Sequence, residues 1–314
     1  MKFKKPNFWD LKKPNFLSNL LNPLTIITRI NNFFLSLKKK NKIQKIKTIC
    51  IGNIYVGGTG KTPTSIELYK ILKKLDTNIS VGKKFYTSQK DEQIILSNKT
   101  DFISGINRKQ IVDKANIADK NLLIFDDGLQ DKYVSYDLQF VCFDAKKWIG
   151  NGRLLPAGPL REKLESLKKY DGVFLKDINE NSQGIINLIK SINPKIEIFE
   201  TKYIINNLKQ FDINNDFLIF SGIGNPENFK ELLKNNNFKV VKEVIFPDHY
   251  QYKKKDLEKI IFMANKLNAK ILTTEKDYVK IKNFDISNVK FLDLDLKFKD
   301  EKNLINYIRK KLYE

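Results

Sequence analysis

The run Tyr55-Val-Gly-Gly-Thr-Gly-Lys-Thr62 holds the residue types that cradle a phosphate. Glycines 57, 58 and 60 let the backbone turn its N–H groups inward on an anion, and a helix opening at the end of the run adds a favourable partial charge. In such a loop Lys61 bridges the β- and γ-phosphates of a nucleotide and the Thr62 hydroxyl is offered to Mg²⁺. The nucleotide-binding candidates are therefore Val56, Gly57, Gly58, Thr59, Gly60, Lys61, Thr62 and Pro63, with Tyr55 standing where the strict pattern has glycine. The loop needs a carboxylate at the tip of a neighbouring strand. Asn121-Leu-Leu-Ile-Phe-Asp-Asp127 supplies two, Asp127 as first choice for the metal and Asp126 in support. Side by side they repel unless a cation or hydrogen-bond donors satisfy them; otherwise they are solvated turn acids.

A second acidic pair, Asp91-Glu92, follows the polar Thr87-Ser-Gln-Lys90 and opens the helical pattern DEQIILS. Taken alone it complements a helix dipole. His249, in Phe246-Pro-Asp-His-Tyr250, is the only histidine of the chain, and a lone histidine is ordinarily a surface or core residue. Thr274-Glu-Lys-Asp277 approaches a guanine-reading segment, but Lys276 sits directly against Asp277 and the spacing does not fit.

The elements that must position these groups alternate between strand and helix. KTICIGNI, a helix from Gly60 to about Leu75, DFIS, a helix near Arg108, NLLIFDD, LQFVCFD and DGVFLKD predict a parallel α/β sheet with both faces covered. A polar stretch at Asn179 to Ser182 and extended segments near Ile196 to Ile205 follow. Alternation resumes with FLIFSGIG, FKVVKEVIF, KILTTEKD and a terminal helix carrying Leu304, Ile308 and Leu312. Residues 1–22 read as an irregular leader. Pro23 to Leu37 reads as an amphipathic helix closed by Lys38, Lys39, Lys40 and Lys42. Such a helix lies in a bilayer interface, each lysine adding on the order of 1 kcal/mol near anionic lipid, or packs on its own domain.

The 314 residues, 41% hydrophobic and 30% charged, suffice for one large core or two ordinary ones. Two cysteines, Cys50 and Cys142, lie in apolar runs, which excludes a disulfide framework or a cysteine metal cluster and suits buried thiols in a reducing compartment. Lys+Arg of 57 against Asp+Glu of 36 gives +21, a balance that suggests nucleic acid or anionic lipid. The excess is mostly lysine, beside abundant Asn and Ile, a pattern that AT-rich codon usage also produces. No window has the roughly 18 unbroken apolar residues of a spanning helix, and no secretory cleavage site follows the first apolar stretch, so a cytoplasmic protein is expected.

In order along the chain, IGNIYVGGTGKTP, FDDGLQ, GNGRLLPAGPLRE, FSGIGNPENF, FPDHY and LTTEKDYVKI resemble the tetraacyldisaccharide 4'-kinase family of lipid A biosynthesis, over about residues 47–282. The resemblance implies an α/β fold with a P-loop kinase-like parallel-sheet domain, a second, smaller α/β domain and an N-terminal amphipathic helix. The expected boundaries are 1–46 for leader and membrane-facing helix, 47–205 for the ATP-binding domain and 206–314 for the domain supplying His249. It implies phosphoryl transfer from ATP to the 4'-hydroxyl of tetraacyldisaccharide 1-phosphate, with ATP and Mg²⁺ as cofactors. The expected location is peripheral, at the cytoplasmic face of the inner membrane, with an anionic membrane surface and the lipid A precursor as partners and neither nucleic acid nor an obligatory protein partner. Carried over by position, Lys61, Asp91 and His249 are catalytic, with Asp91 the base and His249 orienting it across an interdomain cleft. Thr62, Asp126, Asp127 and Glu162 form the metal set, and Glu92, Arg108 and Arg161 contact substrate. PAGPLRE makes a rigid loop at the site or serves structure alone. The family's Arg-Gly-Tyr stretch before the acidic pair is reduced here, and Asp131 replaces its histidine after Asp-Asp-Gly-x-Gln. From another class, a basic P-loop ATPase that binds nucleic acid is the alternative.

Overall fold

Runs such as Lys47-Thr-Ile-Cys-Ile-Gly52 and Leu122-Leu-Ile-Phe-Asp126 are apolar on successive residues, the pattern of strands covered on both faces. In the computed structural model both are fully engaged central strands. The structure describes residues 5–37, 41–42, 45–75, 78–131, 134–284 and 287–314. Lys38, Lys39 and Lys40, expected to close the amphipathic helix, lie outside the described residues. The chain divides into two units. The larger contains Lys5–Tyr86, Leu96–Lys202 and Leu296–Glu314; the smaller contains Thr87–Ile95 and Tyr203–Asp295.

The larger unit begins with a 3-10 turn at Asn7–Asp10, whose Trp9 is buried and donates its indole N–H to the Pro156 carbonyl. Helix α1 (Phe16–Leu21), capped by the Asn15 side chain, and helix α2 (Thr25–Leu37) follow. The leader is therefore ordered rather than irregular, because its polar side chains have carbonyls to grip: Ser18 donates to Ala157 O and Thr28 to Leu155 O, both at 2.7 Å. Strand β1 (Asn41–Lys42) pairs with β6 (Val134–Ser135). The main sheet is built from β2 (Lys47–Gly52), β3 (Ile79–Lys84), β4 (Phe102–Gly105), β5 (Leu122–Asp126), β7 (Leu138–Asp144), β8 (Gly172–Lys176), β9 (Glu197–Ile205) and β14 (Leu294–Phe298), in the order β14-β9-β8-β7-β2-β5-β3-β4. Pairing from β4 through β9 is parallel. Helices α3 (Lys61–Lys73), α4 (Lys90–Lys99) and α5 (Arg108–Ile117) connect its strands, and α4 enters from the smaller unit. The chain runs from β2 to β3 on one side and later returns to β7 on the other, so the loop after β2 leaves a topological switch point, where ligands of open α/β sheets bind. Cys50 and Cys142 are buried free thiols, and burial pushes both up to about 12.

Two further features depart from expectation. Asn179 to Ser182, read only as a polar stretch, opens a helix: Asn179 accepts from the Asn181 N–H, Ser182 accepts from the Asn179 N–H, and helix α6 (Gln183–Ile192) follows, placing Ile185, Ile186 and Ile189 on the core. These polar residues are a helix-start signal. The terminal helix α10 (Glu301–Tyr313), expected in the second domain, belongs to the larger unit. Tyr307 packs edge-on against Phe140 and at a tilt against Phe199, with Leu304, Ile308 and Leu312 buried beside it.

The smaller unit holds a four-stranded parallel sheet, ordered β11-β10-β12-β13, of β10 (Asp216–Ser221), β11 (Lys239–Ile245), β12 (Lys270–Thr274) and β13 (Val289–Leu292). Helices α7 (Pro226–Asn235), α8 (Lys254–Lys266) and α9 (Glu275–Ile281) connect them. Its own switch point falls between β10 and β12.

Candidate active site

In the larger unit, β2 delivers the loop and α3 opens at Lys61. Gly60, the residue before the helix, has φ +86°, a left-handed conformation that glycine adopts without a Cβ clash. The buried Asn53 braces the turn from inside, donating to the Thr59 hydroxyl at 3.0 Å and the Gly57 carbonyl at 3.3 Å. Val56 N–H bonds to Pro159 O at 2.8 Å and Arg161 N–H to Ile54 O at 2.7 Å, so PAGPLRE is the outer wall of the loop. Gly58 and Pro63 lie in the same turn, Pro63 in the first turn of α3, where its missing N–H costs no helix bond. Tyr55, in the first-glycine position, joins Lys5 and Asp10 in a hydrogen-bonded cluster. Burial raises the tyrosine, and the Asp10 carboxylate raises it further.

The strand-tip carboxylates divide their work. Asp126 is fully buried and accepts from the Thr62 hydroxyl at 2.9 Å, the Ser65 hydroxyl at 3.1 Å and Lys83 Nζ at 2.6 Å. Asp127 lies 3.7 Å from Lys61 Nζ and 3.8 Å from the Arg161 guanidinium. Arg108, expected to contact substrate, is buried at the start of α5; it donates to the Asp127 carbonyl at 2.6 Å and lies over the Phe125 ring. Asp131 lies 3.8 Å from its Nε. Arg161 donates to Gln130 Oε1 at 3.1 Å, and Glu162 accepts from Gln130 at 3.3 Å and from the Tyr170 hydroxyl at 3.0 Å. Among the described residues, no group of three or more His, Cys, Asp or Glu side chains is placed to hold a metal. Lys61, Thr62, Asp126, Asp127, Arg108 and Arg161 thus come together, with Glu162 linked to them through Gln130.

In the smaller unit, Asp91 lies in the first turn of α4, against His249 and against Lys280 of α9. His249 Nδ1 lies 3.0 Å and 3.1 Å from the two carboxylate oxygens of Asp91. Thr87–Ile95 clusters with the unit that carries His249. His249 has φ +55°, an uncommon conformation held by its N–H bond to the Gly222 carbonyl at 3.1 Å. The Gly222 N–H in turn bonds to the fully buried Asp277, which also accepts from Tyr252 at 2.9 Å and Thr274 at 2.8 Å. Burial would raise the Asp91 carboxyl, but the His249 hydrogen bond and the charges of Lys276 and Lys280 outweigh it and hold Asp91 below its ordinary value. Lys280 Nζ stands 3.7 Å from Asp91 and 2.6 Å from Asp277. Glu92 accepts from Lys276 Nζ at 3.1 Å.

Residue patterns had not singled out Lys83, Asn53, Gln130 or Tyr170. A lysine inside the apolar strand ISVGKK was the available signal for Lys83, since a fully buried ammonium requires an anion. Lys276 and Asp277 lie in LTTEKDYVKI, a motif of the family resemblance that assigns neither of them a role.

Residues 17–313 match the family described as LpxK, tetraacyldisaccharide-1-P 4'-kinase. A tetraacyldisaccharide 4'-kinase of Pelagibacter ubique is 47% identical over 310 residues, covering 99% of this chain and 98% of that protein. One from Rickettsia bellii is 35% identical over 298 residues, covering 90% of each. Among solved structures, LpxK from Aquifex aeolicus in complex with ATP aligns with a TM-score of 0.69 over 95% of this chain and 100% of that one, at 23% identity, a likeness of fold.

Proposed function

The chain belongs to the tetraacyldisaccharide-1-P 4'-kinase family, and on that premise we propose that it transfers the γ-phosphoryl group of ATP to the 4'-hydroxyl of tetraacyldisaccharide 1-phosphate. The observation that carries the reading is the buried Asp91 carboxylate, kept ionised beside His249. An anion held at that depth is suited to accept the proton of a hydroxyl as its oxygen attacks phosphorus. Lys61 supplies the cation for the β- and γ-phosphates, and the braced glycine loop supplies N–H donors. Arg161 and Glu92 remain candidates for contacts to substrate, whereas Arg108 acts by holding the carbonyls of the strand tip. Thr62 and Asp127 would hold Mg²⁺, with Asp126 aligning the Thr62 hydroxyl. The donors present fit that ion, which takes hard oxygens and keeps several waters and phosphate oxygens for itself. Bound there, it neutralises charge on the transferring phosphate.

The reading extends to a peripheral place on the cytoplasmic face of the inner membrane, on an anionic surface. Support comes from α1 and α2, whose Phe16, Leu20, Ile27, Phe33, Phe34 and Leu37 are exposed while Thr28 and Asn32 grip the larger unit. No helix of the described residues is long and apolar enough to cross a membrane. The proposed boundaries between nucleotide-handling and acceptor-handling parts are those of the two units.

The test is γ-³²P transfer from Mg·ATP to purified tetraacyldisaccharide 1-phosphate in detergent micelles, with wild type, Lys61→Ala and Asp91→Asn in parallel. Labelled lipid from wild type and loss in both variants is the expected result. A folded, ATP-binding wild type that labels no lipid would overturn the reading and direct the search to other acceptors.

A further inference from the structure

Helix α9 carries Lys276 and Lys280 one turn apart, on the face toward Asp91. Lys276 Nζ lies 3.1 Å from Glu92 Oε1, 3.3 Å from Asp248 Oδ1 and 3.3 Å from Nε2 of His249. An ammonium has three donors and no acceptor. Burial would weaken its hold on the proton, but Glu92, Asp248 and Asp91 outweigh burial and raise Lys276 above its ordinary value, so it stays charged. Facing such a group, Nε2 can only accept. A neutral imidazole whose Nε2 accepts carries its proton on Nδ1. Nδ1 is the atom that meets both oxygens of Asp91.

We propose that Lys276 is a positioning residue that fixes His249 as the neutral Nδ1–H tautomer, so that the imidazole donates to Asp91 and leaves that carboxylate ionised to receive a proton. The inference rests on the reading of Asp91 as the base. Around His249 stand the carboxylates of Asp91, Glu92 at 3.7 Å and Asp248 at 3.8 Å, and against them the Lys276 ammonium. Lys280, the other cation at Asp91, is held 2.6 Å from Asp277. Without Lys276, the three carboxylates remain while the cation that opposes protonation of Nε2 is lost, which favours the imidazolium. An imidazolium binds the Asp91 charge more tightly and makes it a poorer base.

Because His249 is the only histidine, ¹⁵N-histidine labelling of the full chain gives one imidazole to read. At pH 7 the wild type should show protonated Nδ1 and bare Nε2. Lys276→Met should raise the histidine pKa by on the order of one unit or more, shift the acid limb of kcat/KM upward with it, and lower kcat about tenfold or more with KM for ATP unchanged. Lys276→Arg, also a pure donor, should keep the neutral tautomer. A wild type with protonated Nε2 or an imidazolium at pH 7 overturns the proposal and needs no variant to fold. An unchanged titration in a folded Lys276→Met overturns it too. A wild type with the Nδ1–H tautomer that labels no lipid upholds the tautomer and overturns the acceptor reading instead.

Discussion

Asp126 is committed on every side, to Thr62, Ser65 and Lys83, and this sets what each residue near the phosphate loop is free to do. Lys83→Met leaves a buried carboxylate without its cation and should cost about 3–5 kcal/mol in denaturant unfolding. Adding Asp126→Asn should recover much of that loss while phosphoryl transfer stays impaired, since only one accepting oxygen is left for the Thr62 and Ser65 hydroxyls. Lys61→Ala should keep the fold and lose on the order of 10²-fold or more in kcat; turnover near wild type would remove Lys61 from the chemistry. Asp91→Asn should slow turnover by about 10²-fold with ATP affinity preserved, and weaker ATP binding at normal turnover would place Asp91 with the nucleotide instead. Asp91 also leaves a mark on stability. Its folded value is depressed below the roughly 3.9 of an unfolded aspartate, so its contribution is complete above about pH 4 and fades as pH falls through the lowered value. Thermal unfolding of Asp91→Asn should therefore vary less with pH below about 4 than that of wild type.

At the scale of elements, α2 presents two different sides. Thr28 and Asn32, four residues apart, bond to the carbonyls of Leu155 and Arg161, while Phe33 and Phe34 stand clear with Ile27 and Leu37. Replacing Phe33 and Phe34 by serine should lower partitioning onto anionic vesicles and raise KM for the lipid more than for ATP; unchanged partitioning would sink the membrane role of the helix. Local patterns made some of this legible and not the rest. The glycine loop and strand-tip carboxylates are contiguous in sequence, and a strand-turn-helix junction leaves few alternatives for them. The helix at 183–192 escaped because its start residues, Asn179 and Ser182, are also what linkers are made of. Lys83 escaped because the residue that needs it lies 43 positions away. The pairing of Asp91 with His249 was available from family resemblance alone, since 158 positions separate them and neither has a distinctive local setting.

Across the whole molecule, the charge of +21 predicts a strong ionic-strength dependence for adsorption to anionic vesicles, measurable by sedimentation between low and physiological salt. Tight, salt-sensitive binding of RNA or DNA with stimulated ATP hydrolysis would instead favour the nucleic-acid alternative. Alternation of strand and helix revealed two sheets, but not that the last helix returns to the first of them, because Leu304, Ile308 and Leu312 show only that one face is buried and not against what. That return has a consequence for biosynthesis. The larger unit is interrupted by 203–295 and completed by 296–314, so a nascent chain on the ribosome carries the nucleotide loop long before it carries Tyr307 to cover Phe140 and Phe199. The inserted unit, whose strands all lie within 203–295, has most of its sequence in hand while its host still lacks a piece of core. Vectorial folding should thus acquire compactness first in the later-made unit and protease resistance in the earlier-made one only after the final helix has emerged.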